Sequence, residues 1–183
     1  MIESRSGEVR LQVGHTSEFD SSVLAMARDL LYVVFHDMTD HDWEHALGGM
    51  HAIAWHGASI IGHASVVQRQ LMQRGVAWRT GYVEGVGVDP AWQGRGVGGL
   101  MMAALERIIE SAYDLGALGA SDAAVAFYEH RGWVKWLGET WSLTPAGVVR
   151  TPEEDDSIFI WPAGGDLDVR GDLTCDWRGG DVW

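Results

Sequence analysis

Lysine is almost missing from this chain: Lys135 is the only one, and 13 Lys and Arg against 26 Asp and Glu leave a net charge of −13. So few cations exclude a nucleic-acid partner, because affinity for a phosphate backbone comes from neutralising it. Cysteine is as scarce. Cys175 stands alone, which excludes an intrachain disulfide and reads as a small buried hydrophobe sooner than as a nucleophile. No uninterrupted apolar run approaches ~18 residues, the length a membrane helix needs. The opening "MIESRSGEVRLQVGH" lacks the apolar core of a secretory signal. The expectation is a cytoplasmic protein with no membrane partner. An acidic surface concentrates cationic ligands, yet acidity is also a common route to solubility, so the placement of the acids has to decide between them.

What is present is a globular composition, with 46% hydrophobic and 21% charged residues over 183 positions and ten tryptophans. That length suits one well-buried domain spanning 1–183. A strand candidate at "EVRLQVG" precedes "SSVLAMARDLLYVVF", where Leu24, Ala27, Leu31 and Val34 recur at helical spacing. "TDHDWEHALGG" then offers Thr39 or Asp40 as an N-cap and Gly48-Gly49 as a stop. From His51 to Val88 the texture is β: "HAIAWH", "SIIGHASVVQRQLM" and "VAWRTGYVEGVGV", with turn candidates at His56-Gly57 and Arg74-Gly75, form an antiparallel meander. A turn at Asp89-Pro90, a glycine cluster, and a helix with Leu100, Ala104, Leu105, Ile108 and Ile109 on its apolar face follow. The rest reads as a strand "LGALGA", a helix "SDAAVAFYEHRG" closed by Gly132, and strands around "WVKWLG" and "SIFIWP". This order predicts a mixed α/β domain with a mostly antiparallel sheet and helices on both faces.

The glycine cluster "WQGRGVGG" sits between a strand and a helix start. There the first helical N–H groups have no intrahelical acceptor, and glycines let a phosphate approach the main chain. Gln93, Gly94, Arg95, Gly96, Val97 and Gly98 are the candidate cradle, with Arg95 able to add a charge-assisted contact. A dinucleotide fingerprint would need a parallel βαβ unit, and a P-loop would need a G-K-[ST] lysine; neither is here. Just before the cradle, Glu84 places a carboxylate in an apolar strand, where Val or Thr is the usual choice.

A Q-x-x-G-x-G loop after a β-meander resembles the acyl-CoA pyrophosphate motif of the GNAT superfamily of N-acetyltransferases. "TDHDWEHALGGMHA", "GYVEGVGV", "YEHRGW", "RTPEEDDSIFIWP" and "CDWRGGDVW" together are similar, nearly end to end, to the aminoglycoside 2'-N-acetyltransferases. The resemblance implies a GNAT fold in which the strand before the loop carries a β-bulge and the central strands splay to admit acetyl-pantetheine. Gly85 and Gly87 suit such a bulge, and main-chain groups at Val86, Gly87 and Val88 would pair with the arm. It implies Glu84 as general base for a substrate amine whose pKa, ~10.4 if it resembles Lys, leaves it protonated at neutral pH. It implies Tyr128 as general acid toward the departing CoA thiolate.

Residues 151–183 carry nine of the acids against Arg170 and Arg178, and carboxylates at matched positions give a polycation both affinity and register. By resemblance the acceptor site uses Asp37, Asp42, Glu84, Gly85, Gly119, Glu154, Asp181 and Trp183 with its α-carboxylate. In that family a serine usually stands at the place of Gly119 and an aspartate at that of Glu154, so this chain offers no side-chain hydroxyl at the first and a longer arm at the second. Acetyl-CoA is the implied co-substrate, no metal is expected, and members of the family are commonly homodimers. Alternative acceptors within the superfamily are a polyamine, an envelope amino sugar or a protein amine. A remote alternative is a zinc metallopeptidase through His41-x-x-Glu44-His45, three fixed letters in five.

Overall fold

The structure, a computed structural model, describes residues 8–164 and 166–183; the first seven residues, part of the stretch read as lacking a signal core, lie outside the described residues. The chain gathers into two compact units, residues up to Val67 with Glu84–Leu105, and Gln68–Val83 with Glu106–Trp183.

The first unit holds β1 (Val9–His15), α1 (Ser21–Val34), α2 (Asp40–His45), β2 (Met50–His56), the start of β3 (Ser59–Gln73), the end of β4 (Val76–Val88) and the first turns of α3 (Val97–Ala112). β1, β2 and β3 run antiparallel. The β2–β3 turn uses Gly57 at φ +58, a left-handed backbone that glycine adopts without steric cost. α1 buries Ala27, Leu30 and Leu31; Ala27 and Leu30 cluster with Phe19, Ile53, Trp55 and Ile60, while Leu24 and Val34 cover the edge. Thr39 is the N-cap of α2: its side chain accepts from Asp42 N–H, and the Asp42 carboxylate reaches back to Thr39 N–H, so two orphan donors are satisfied together.

α3 departs from expectation in its first turn. Leu100 is 42% exposed and Val97, Met101 and Met102 are buried in its place, whereas Ala104, Leu105 and Ile109 are buried as expected and Ile108 is half-buried. The stripe is centred on Met101, Leu105 and Ile109, and one residue back along a helix is a rotation of ~100°, which carries Leu100 off it.

The second unit begins with the β3–β4 hairpin, whose Arg74 and Gly75 both have positive φ. It continues with β5 (Leu115–Gly119), α4 (Val125–Arg131), β6 (Val134–Lys135), β7 (Thr140–Thr144), β8 (Gly147–Arg150), β9 (Ile158–Trp161) and β10 (Leu173–Cys175). Strand order is β6-β9-β5-β4-β3-β10-β7-β8, with β4–β5 and β10–β7 parallel and the other registered pairs antiparallel. The mixed α/β fold with a mostly antiparallel sheet is therefore the one that forms. β7, β8 and β10 were not among the strands expected. They are three to five residues long, at or below the typical strand length of ~5–6, and too short for alternation to register. Cys175 is fully buried. Among the described residues no helix is long and apolar enough to cross a membrane.

Candidate active site

In the first unit the glycine loop is built as a cradle. Asp89 N–H donates to the Ile61 carbonyl at 3.0 Å, its carboxylate caps the short turn Pro90–Trp92 through Ala91 N–H at 2.8 Å, and Gln93 Nε2 donates to the Val88 carbonyl at 3.1 Å. Gly94 and Gly96 have φ of +71° and +82°, and a Cβ at either would meet nothing within 4 Å. The concave side is thus open, and L side chains are strained there. Val97, 3% exposed, roots the start of α3, and Leu100 N–H is the donor that reaches the Gly96 carbonyl at 3.0 Å. The amides ahead of it, at Val97, Gly98 and Gly99, precede the first intrahelical bonds and lie at the positive end of the helix dipole. The Arg95 guanidinium stacks over Trp92 at 5.1 Å, and Trp92 in turn lies 4.5 Å from the His56 ring, so the loop's one cation is supported by aromatic faces.

Glu84 is half-buried on β4. Gly85 beside it has φ +56°, and a Cβ there would come within 3.0 Å of Leu31 Cδ1; at Gly87 it would come within 2.6 Å of Leu31 Cδ2. Glycine is favoured at Gly85 by conformation, and at Gly87 a Cβ would push the end of the Leu31 side chain on α1 aside. The register of β4 with β5 covers Thr80–Tyr82 against Leu115–Ala117 and ends two residues before Glu84. β4 itself continues to Val88, so Glu84 and the left-handed Gly85 lie on the part of the strand beyond its registered pairing with β5.

Two buried histidines meet this strand, and sequence reasoning missed them. His63 Nδ1 lies 2.9 Å from the Gly85 carbonyl oxygen, and His63 Nε2 lies 2.9 Å from His51 Nδ1. The β2–β3 register pairs His51 with Ser65 and Ile53 with His63, making the histidines diagonal neighbours on one face. That register was the available signal, since the hairpin turn was already placed. Burial holds both imidazoles neutral, with His51 pushed down to about 3 and His63 to about 4.

In the second unit α4 presents Tyr128, 5% exposed, against Trp133 and Phe159. Burial pushes its hydroxyl up to about 12, opposed by Arg131, so the phenol stays protonated at neutral pH. The helix is closed by Gly132 at φ +98°. Its end is fixed by buried Glu106, which accepts from Arg131 Nε at 2.8 Å and Trp133 Nε1 at 3.0 Å.

Glu154 is half-buried, with its carboxyl raised first by burial and further by Asp181 and Glu153, against a hydrogen bond from Ser157. Asp181 therefore lies within electrostatic reach of Glu154, and its Oδ1 accepts from Trp183 N–H at 3.1 Å. Trp183 is 5% exposed; its Nε1 donates to Thr151 Oγ1 at 2.9 Å and its main-chain oxygen accepts from Arg178. Arg69, also buried, ties in the same segment, donating to Asp176 Oδ1 at 2.8 Å and to the Val182 carbonyl at 2.7 Å over the Tyr82 ring. Not every acid nearby is available to a ligand: Asp155, Asp168 and Asp176 pair with Arg150, Arg74 and Arg69. A Cβ at Gly119 would come no closer than 3.7 Å to Tyr82 Oη, so packing does not force glycine there.

Of the remaining expected residues, Asp37 is exposed and Asp42 is engaged in the α2 capping box, Oδ2 accepting from Thr39 N–H at 2.7 Å. His41 pairs with Glu44 at 3.3 Å, and among the described residues no group of three or more His, Cys, Asp or Glu is placed to hold a metal. Glu84, the cradle, Asp37 and Asp42 belong to the first unit, and Tyr128, Gly119, Glu154, Asp181 and Trp183 to the second.

The family model described as acetyltransferase (GNAT) matches residues 21–133. The chain is 49% identical, over 174 residues, to an aminoglycoside 2'-N-acetyltransferase of Mycolicibacterium fortuitum, covering 92% of this chain and 89% of that protein. Among solved structures it resembles the GNAT family N-acetyltransferase YhbS from Escherichia coli in complex with CoA, with TM-score 0.65 and 13% identity over 91% of this chain and 88% of that one. It also resembles a GCN5-related N-acetyltransferase from Kribbella flavida, with TM-score 0.59 and 21% identity over 73% of this chain, and spans about a third (34%) of that longer protein. At these identities the two structures speak for the fold alone.

Proposed function

We propose a function from one premise: this chain belongs to the acetyltransferase (GNAT) family. It is an aminoglycoside 2'-N-acetyltransferase, moving the acetyl group of acetyl-CoA to the 2'-amine of an aminoglycoside. The observation that carries the reading is the near full-length likeness to the M. fortuitum enzyme, and the cradle and the acidic second-unit cluster give it chemical sense.

The open left-handed glycines and the free amides at the start of α3 bind the CoA pyrophosphate, and the main chain of Val86 and Val88 holds the pantetheine arm. Glu84 takes a proton from the substrate ammonium, directly or through water. The free amine attacks the thioester carbon, so that a C–N bond forms and the carbonyl becomes an oxyanion; the nitrogen, now cationic, gives its extra proton to solvent, the oxyanion re-forms the carbonyl, and the C–S bond breaks with sulfur taking the electron pair. Tyr128, protonated by virtue of its burial, hydrogen-bonds to that sulfur and supplies its proton, and solvent restores the phenol. The net products are the amide, CoA and one proton. Asp37, Asp42, Glu154 and Asp181 meet the drug's other ammonium groups, where the charge of one partner offsets the cost of dehydrating the other. Glu154, disfavoured as an anion in the free protein, gains most from a bound cation.

A single catalytic domain, a homodimer and a cytoplasmic location complete the reading. They rest on the family likeness, and light scattering tests the dimer. The decisive experiment is thiol release from acetyl-CoA with a panel of aminoglycosides with and without a 2'-amine, polyamines and peptides, with the acetylated position read by NMR. Turnover restricted to 2'-amino drugs is expected. Preference for a polyamine or a peptide would move the assignment to another acceptor in the family.

A further inference from the structure

His63, His51 and Thr16 form a buried chain whose proton direction is fixed by elimination. The Gly85 carbonyl can only accept, so His63 donates from Nδ1 at 2.9 Å. Neutral His63 then has a lone pair on Nε2 and accepts from His51 Nδ1 at 2.9 Å. His51 Nε2 is left as an acceptor for Thr16 Oγ1 at 2.8 Å, and Thr16 Oγ1 accepts from Gly48 N–H at 2.8 Å. The Thr16 hydroxyl also lies 3.2 Å from the Gly49 carbonyl, but His51 Nε2 is the nearer acceptor, so the chain runs from the loop before β2 to the strand that carries Glu84. Both rings are fully buried, and Trp43 packs on both of them. A half-satisfied polar network in such a place is costly, so its completeness calls for a purpose.

The purpose lies in the peptide it grips. In a planar trans peptide the carbonyl and the following N–H point in opposite directions; with the Gly85 carbonyl held by His63, Val86 N–H is turned to the other side. Gly85 sits at φ +56°, and glycine crosses between backbone wells at little steric cost, so its own conformation does not select this plane. We propose that His63, oriented by His51 and Thr16, is a positioning residue that locks the Gly85–Val86 peptide so that Val86 N–H is aimed at the thioester carbonyl of the acyl donor. The inference rests on the reading of this strand as the acetyl site. A preorganised N–H at that oxygen is worth most when it becomes an oxyanion, so the lock acts on turnover more than on cofactor affinity.

The test compares His63→Asn, whose amide nitrogen takes the place of Nδ1, with His63→Gln, whose nitrogen takes the place of Nε2. Both lose the ring, so a packing role would affect them alike. With [13C]acetyl-CoA bound to the full chain, the thioester carbonyl stretch is expected below its free value in the wild type and in His63→Asn, and close to its free value in His63→Gln. In His63→Gln, kcat should fall roughly ten- to a hundredfold with little change in acetyl-CoA Kd, while His63→Asn recovers most of the rate. Half-buried Thr16 gives a second pair that leaves the rings in place: Thr16→Val should shift the stretch part of the way and Thr16→Ser should restore it. Equal frequencies and rates in Asn and Gln variants, or a wild-type stretch in Thr16→Val, would overturn the proposal. A lowered wild-type stretch without acetylation of any aminoglycoside would sink the acceptor assignment alone.

Discussion

The indole Nε1 of Trp183 donates to Thr151 Oγ1 at 2.9 Å, while the Trp183 amide donates to Asp181 at 3.1 Å. One residue thus fastens the segment and orients an acid of the proposed acceptor site. Trp183→Ala removes a buried ring and should cost about 3–5 kcal/mol, seen as a lower Tm, and should raise aminoglycoside KM because the segment whose backbone amide holds Asp181 is no longer fastened by the indole. Trp183→Phe keeps most of the plug and should cost about 1 kcal/mol for the lost hydrogen bond, with KM nearly unchanged. An unaltered Tm in Trp183→Ala would remove the anchor.

Glu154→Gln separates binding from stability. Burial raises this carboxyl, with Asp181 and Glu153 adding to the shift. A folded pKa above the unfolded one means that ionised Glu154 opposes folding once pH rises through the folded value. The neutral variant should therefore have an equal or higher Tm at pH 7 in the absence of ligand, yet a higher aminoglycoside KM. For the wild type, KM should rise as pH falls through the raised pKa. A lower Tm together with an unchanged KM would show that Glu154 serves the fold.

The cradle can be tested by charge at constant shape. Gly96 has φ +82°, which Asn tolerates better than most residues. Gly96→Asn should weaken acetyl-CoA binding modestly, whereas Gly96→Asp, of nearly the same size, adds an anion beside the phosphates and should reduce affinity by at least about a hundredfold, or ~2.7 kcal/mol. Calorimetry on the two variants reads the difference. Equal affinities would place the pyrophosphate elsewhere.

For proton transfer, Glu84→Gln should leave acetyl-CoA affinity intact and lower kcat/KM by roughly 10²–10⁴, with loss of the acidic limb of the pH profile. Tyr128 is held up at about 12, so Tyr128→Phe should slow turnover without moving that limb. A wild-type rate in the first variant would send the search for the base to another group.

Legibility followed length and chemistry together. The long strands β3 and β4, their Arg74-Gly75 turn and the N-cap of α2, narrowed to Thr39 or Asp40, could be read because hydrophobic texture, turn residues and caps agreed locally. Glu84 and the glycine loop stood out because a carboxylate and four glycines are poor choices for a structural strand end. What stayed hidden was short or depended on contacts distant in sequence. β7, β8 and β10 are too short to carry a period, and β10 is fixed by pairing with Leu71 and Met72. His51 and His63 look like ordinary alternation until the register sets them diagonally, and nothing in "HAIAWH" or "SIIGHA" announces a network.

That network also sets a pH dependence of stability. His63 is near 4 and His51 near 3 when folded, against an ordinary value of ~6.5 in the unfolded chain. Between those limits the unfolded chain binds protons that the folded protein refuses, so stability is present above the unfolded value and is lost as pH falls through the window from ~6.5 toward ~4. For His63 the span corresponds to a loss on the order of 3 kcal/mol at ~1.4 kcal/mol per unit. His51 adds to it, although its charge is coupled to His63 and to His15, so the two do not simply sum. Thermal melts of the wild type from pH 7 to pH 4 should show Tm falling with a slope steeper than in His63→Asn, which cannot titrate. Because that variant keeps the donor to Gly85, its slope should flatten while its acetylation rate is largely retained. Parallel melting curves for the two proteins would mean that the imidazole at position 63 shares its proton with solvent in the folded state.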